Sequence, residues 1–96
     1  MTPEEILSGA ADLIEAKGWC QGMAVDEVGG VCMGRAIFDA AGMHERVWVW
    51  DASVPIQQAI DAVAQEIGDS PAPWNDAPGR TKEEVVTALR NSKRWL

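Results

Sequence analysis

The chain has 96 residues, with 15 acidic against 8 basic side chains and a net charge of −7. That length supports one domain with a thin core, roughly under seventy per cent of the unfolded surface being buried, and the acidic balance excludes direct DNA or RNA binding, whose affinity comes from Lys and Arg displacing counterions. Two cysteines are too few for a disulfide framework, no leader pattern is visible and no window holds the roughly 18 consecutive apolar residues of a membrane span, so the chain reads as cytoplasmic with no membrane partner.

Thr2-Pro3-Glu4-Glu5 predicts a helix start, with a hydroxyl cap, a proline at the first helical position and acidic residues at the positive end of the dipole. Ile6, Leu7, Ala10, Leu13 and Ile14 recur behind it at helical spacing, and Gly18 marks its end. Residues 19–32 hold two short apolar runs, Met23-Ala24-Val25 and Val31-Cys32, around the turn-forming Asp26-Glu27-Val28-Gly29-Gly30, which predicts a small β-hairpin. A second helix is expected over 32–41 through Met33, Ala36, Ile37 and Ala40, terminated by Gly42. Val47-Trp48-Val49-Trp50 reads as a strand apolar on both faces. A third helix, capped by Ser53, carries Ile56, Ala59, Ile60, Val63, Ala64 and Ile67 on one side and stops at Gly68. Asp69-Ser70-Pro71-Ala72-Pro73 reads as a proline-rich connection, and a fourth helix runs from Lys82 towards Leu96 with Val85, Val86, Leu89 and Trp95 facing inward. The expected fold is mainly α (α+β), about four helices around one core in a single domain of residues 1–96, with a small β-hairpin or an extra short strand.

The densest segment is Trp74-Asn75-Asp76-Ala77-Pro78-Gly79-Arg80-Thr81, which runs into Lys82-Glu83-Glu84-Val85. Pro78-Gly79 fits the central positions of a type II turn, since proline presets φ at the first and glycine tolerates positive φ at the second. Thr81 and Glu84 form a capping box for the last helix. Asn75, Asp76 and Arg80 make a polar turn, a candidate site for a small ligand or a partner's backbone; the structural alternative is self-capping by Asn and Asp with an Arg80–Asp76 ion pair.

This segment and Gly18-Trp19-Cys20-Gln21-Gly22, over fifty residues earlier, resemble the motifs of a family of small proteins from actinobacteria and their phages. The resemblance covers about Ile6 to about Arg90, leaves out Val47-Trp48-Val49-Trp50, and implies neither an activity nor a catalytic residue.

Cys32, at an expected helix start with Arg35 one turn on, stands where a nucleophilic thiol would stand. The only histidine, His44, has no recognised cysteine-enzyme spacing to it, and a buried small hydrophobe is the alternative. Cys20, Cys32 and His44 lack the short paired spacing of a zinc site, so neither metal nor cofactor is expected. Arg90, Lys93 and Arg94 read as cations at the negative end of a helix dipole.

Trp48 and Trp50, two residues apart on one face, are candidate partner-binding residues, with core packing as the alternative. Exposed together on an edge, they would be covered by a partner or by homodimerisation about a two-fold axis. The functional expectation is a small acidic cytoplasmic protein-binding module, not an enzyme, that modulates another protein, a host factor if the gene is phage-borne. Two readings stay open beside it. One is a nucleic-acid mimic that occupies a basic groove through residues 1–81, which carry 13 acidic against 4 basic side chains. The other is a small enzyme using Cys32 or the Asp76/Arg80 turn.

Overall fold

The computed structural model describes residues 2–42 and 54–96, so His44, the Val47-Trp48-Val49-Trp50 segment and the Ser53 cap lie outside the described residues. Helix α1 (Pro3–Lys17) starts as its sequence dictates: Thr2 Oγ1 accepts from the Glu5 amide at 3.2 Å, and the Glu5 carboxylate accepts from the Thr2 amide at 2.9 Å. It is followed by α2 (Met33–Ala40), α3 (Val54–Ile67), a short α4 (Pro71–Asn75), α5 (Lys82–Asn91) and a closing 3₁₀ turn, Ser92–Trp95. Helix α1 is the centre of the packing, with α2 and α5 against it and α3 meeting all three. Its Ile6, Leu7, Ala10 and Ile14 are buried with Met33 and Ile37 of α2, Ile56 and Val63 of α3, and Val85 and Leu89 of α5. No helix among the described residues is long and apolar enough to cross a membrane.

Two expectations about helices are corrected. The stretch expected as a connection contains α4, because Ser70 takes the extended cap conformation and Pro71 the first helical position. Pro73 also falls within the first turn, where backbone amides have no helical acceptor and a missing N–H costs nothing. The last helix stops at Asn91 and tightens into the 3₁₀ turn, which leaves Trp95 47% exposed, its indole N–H donating to Glu66 at 2.9 Å, where an inward ring was expected. The cations near this end tie helices together. Arg90 bonds Asp12 and Glu15 of α1, each at 3.0 Å, and Arg94 forks onto Glu66 of α3 at 2.7 and 2.6 Å.

The expected hairpin over residues 19–32 is not formed. Three short extended stretches meet at Val31 instead. Its amide donates to the Gly18 carbonyl at 3.0 Å and its carbonyl accepts from the Cys20 amide at 3.3 Å, a single parallel bridge to Trp19. On its other side Val31 faces Val25 in a single antiparallel bridge. The cause is Asp26, whose Oδ1 accepts from the amides of Val28 at 3.0 Å and Gly30 at 2.7 Å. These side-chain bonds close the chain on itself within five residues, so the ladder lasts one residue pair before Cys32 caps α2, too short for a strand.

The 77–80 turn and the start of α5 follow expectation. The Arg80 amide donates to the Ala77 carbonyl at 3.1 Å, and Gly79 takes φ 82°, the positive value that the third position of a type II turn demands. Thr81 Oγ1 accepts from the Glu84 amide at 3.2 Å and Glu84 accepts from the Thr81 amide at 3.0 Å. Thr81→Ala is expected to lower the unfolding free energy by about 1 kcal/mol, read as a reduced urea midpoint at unchanged slope.

Candidate functional site

Asn75, the last residue of α4, is 1% exposed and is one of two buried polar residues among those described. Its Oδ1 accepts from the Trp19 indole N–H at 2.7 Å and the Met33 amide at 3.0 Å. Its Nδ2 donates to the Cys20 carbonyl at 3.1 Å and to Asp76 Oδ1 at 3.0 Å. Both facing donors can only donate, so the oxygen must point at them, and the amide's two acceptor and two donor positions are then all used. Around this centre Gln21 Nε2 donates to the carbonyls of Asn75 and Ala77, each at 3.0 Å, and the Gly22 amide donates to Asp76 Oδ1 at 3.0 Å. The two motifs noted in the sequence are thus bonded to each other, with the start of α2 as a third party.

Arg80 turns the other way from Asp76. Its Nε donates to the Trp74 carbonyl at 3.0 Å, its Nη1 to Glu84 at 3.0 Å, and the guanidinium lies 3.7 Å over the Trp74 ring. The ion pair considered between Arg80 and Asp76 is therefore replaced by two separate arrangements. Asp76 fastens the junction, and Arg80 fastens the turn to α5.

Hydrogen bonds hold both carboxylates below the ordinary range. For Asp76 the largest cause is the Gly22 amide, then the Asn75 side chain; for Glu84 it is Arg80, then the Thr81 amide. Glu5 is lowered in the same way, chiefly by the Thr2 amide. A carboxylate whose folded pKa is depressed stabilises the fold above its unfolded pKa and loses that contribution as pH falls through the folded value. The urea midpoint is expected to hold above pH of about 5, to fall as the ordinary carboxylate range near 4 is passed, and to fall less in Asp76→Asn. An equal acid slope in that variant would remove Asp76 from the set of stabilising carboxylates.

The junction holds the 21–28 loop, which carries three of the exposed large hydrophobic side chains among the described residues, the others being Val54, Trp95 and Leu96. Met23 is 55% exposed, Val25 41% and Val28 87%. Beside them lies a groove of about 620 Å³ lined by Val25, Val28, Val31, Lys17 and Arg35; Arg35 is engaged with Asp39 at 2.8 Å. One signal for the junction was legible: a half-buried tryptophan asks for an acceptor for its indole N–H. Nothing in the sequence designated Met23 and Val25 as exposed, since both suit the inner face of a hairpin, whereas Val28 falls in the expected turn.

Both cysteines are unbridged. Cys20 is buried, which pushes its thiol pKa up, and its Sγ approaches the Met23 carbonyl at 3.2 Å. Cys32 caps α2, its sulfur accepting from the Arg35 amide at 3.3 Å. Among the described residues no group of three His, Cys, Asp or Glu side chains is placed to hold a metal ion. Trp48 and Trp50 lie outside the described residues.

Residues 1–93 match the model of a family described as "Family of unknown function (DUF6197)", a span that includes both halves of the junction. No curated protein and no solved structure matches the chain.

Proposed function

From a chain that belongs to the family of unknown function DUF6197, we propose a protein-binding module that engages another polypeptide through the rim of the 21–28 loop. The observation that carries this reading is the exposure of Met23, Val25 and Val28 on a loop anchored by Gln21, Gly22 and Asp26. Exposed apolar groups on a loop already fixed in shape lose little conformational freedom on binding, so their burial is converted into affinity with less offset. The module works in the cytoplasm, on a host protein where the gene is phage-borne. Trp48 and Trp50 enter as a second candidate contact on the aromatic argument alone.

The test is affinity capture from lysate with the parent protein, a Met23→Ser/Val28→Ser variant and a Trp48→Ala/Trp50→Ala variant, each with its melting midpoint measured. A partner lost with the first variant at unchanged stability supports the loop. A partner lost only with the second moves the surface to the tryptophans, and a partner kept by both rejects the reading.

A further inference from the structure

The parallel bridge that pairs Trp19 with Val31 also fixes how the two cysteines stand to each other. The Val31 amide donates to the Gly18 carbonyl at 3.0 Å and the Cys20 amide to the Val31 carbonyl at 3.3 Å, so Cys20 and Cys32 each follow a paired residue by one position on neighbouring extended stretches. Side chains alternate along such a stretch, which sends both thiols to one face, opposite to the side chains of Trp19 and Val31. The strand spacing sets their Cα atoms about 5 Å apart, inside the roughly 4.4–6.8 Å that a disulfide spans. The hydrogen bonds agree with this placement: the Ala24 carbonyl accepts from the Cys32 amide at 3.0 Å and lies 3.7 Å from Cys20 Sγ. Burial is the first cause that raises the Cys20 pKa, and the neighbouring Cys32 sulfur is the second. Cys20 is buried and Cys32 half-buried, so a small reagent meets Cys32 first and Cys20 stands behind it.

We propose that Cys20 and Cys32 are a reversible redox pair, joined by a disulfide when a low-molecular-weight disulfide such as oxidised glutathione accumulates and parted again when thiols prevail. The Cys32 thiolate attacks one sulfur of the small disulfide, whose S–S bond breaks and releases one thiolate. The Cys20 sulfur, giving up its proton, then attacks Cys32 Sγ, which forms the internal S–S bond and expels the second thiolate. Two electrons pass from the cysteine pair to the reagent, and the two released thiolates take up the two thiol protons. In the reduced form the Cys20 thiol donates to the Met23 carbonyl at 3.2 Å. The oxidised form exchanges that bond for a covalent closure of residues 20–32, which encloses the whole 21–28 loop and removes open conformations from the unfolded chain. A transient pair of this kind is what a thiol-rich compartment allows, and the inference does not depend on what the loop binds.

The experiment incubates the folded full chain in buffers of glutathione and its disulfide over a range of ratios, blocks free thiols with an alkylating agent and maps linked peptides by mass spectrometry. The parent is expected to lose two hydrogens, to join Cys20 to Cys32 within one chain, and to regain both thiols in excess glutathione. On oxidation its unfolding equilibrium constant in urea is expected to fall by about tenfold or more. Exchange of the Asp26 and Cys32 amides, which bond Gly30 and Ala24 across the loop, is expected to slow by about threefold or more. Cys20→Ser is expected to stop with one glutathione held on Cys32; the parent decides the pairing whether or not that variant folds. A parent that stays reduced at every ratio, keeps glutathione on Cys32, links between chains, or reacts only when unfolded in urea overturns the redox pair. An internal disulfide that leaves the unfolding constant unchanged or raises it overturns the closure of the loop.

Discussion

Asn75→Ala is expected to lower the unfolding free energy by roughly 3–5 kcal/mol, a large share of the roughly 5–14 kcal/mol that a chain of this size has. The substitution removes four side-chain bonds at one stroke. What dominates is the groups left behind, since a buried donor or acceptor stripped of its partner costs about 1–3 kcal/mol. The Met33 amide and the Cys20 carbonyl are in this position, and the half-buried Trp19 indole N–H partly so. Asn75→Asp separates the two halves of the amide. It keeps an acceptor for Trp19 and Met33, but loses the donor to Cys20 and sets a second carboxylate beside Asp76. It should fall between the parent and the alanine variant at neutral pH and recover part of the loss in mild acid. An alanine variant within about 1 kcal/mol of the parent in urea unfolding would mean that water replaces the side chain and that the junction is not a stabilising centre.

Gly30→Ala is expected to cost about 2 kcal/mol, for a steric reason. A Cβ at residue 30 would stand 2.7 Å from Asp26 Oδ2 and 3.2 Å from its Cγ. The carboxylate cannot yield without giving up the bonds it accepts from Val28 and Gly30. Asp26→Ala loses those same bonds, so the two substitutions should be strongly non-additive, the double variant costing little more than Asp26→Ala. Additive losses would show that the loop relaxes around the new methyl group by another route.

The helices were legible because their signals are local. The Thr2 and Thr81 caps, the apolar spacing of α1 and α3 and the Pro78-Gly79 turn each depend on residues within a turn or two of one another. Residues 19–32 were misread as a hairpin because alternation and turn residues are also what a tight Asp-closed loop displays. The side-chain bonds of Asp26 decide between the two, and they leave no periodic trace. Prolines 71 and 73 suggested a linker because proline ends helices more often than a pair of prolines opens one. Asn75, Asp76 and Arg80 stand out in the sequence as polar residues around a turn, yet the partners of all three side chains could not be chosen from spacing. The acceptor for Trp19 lies 56 residues away and the donor from Met33 lies 42 away, distances at which only the folded path of the chain brings groups together.

Those separations also assign the junction a place in time. Helices α1 and α5 are held by bonds between residues four apart and can form early, whereas closing a chain loop of 42 or 56 residues must await the packing of α2 and α4. The Asn75 bonds are accordingly expected to be among the late interactions gained in folding and the early ones surrendered in unfolding. Damage to them should appear as a faster unfolding limb with the refolding limb nearly unchanged. The segment that holds the 21–28 rim in shape is therefore expected to act as a clasp on the lifetime of the folded molecule, setting how long the loop persists once made rather than how quickly it is assembled.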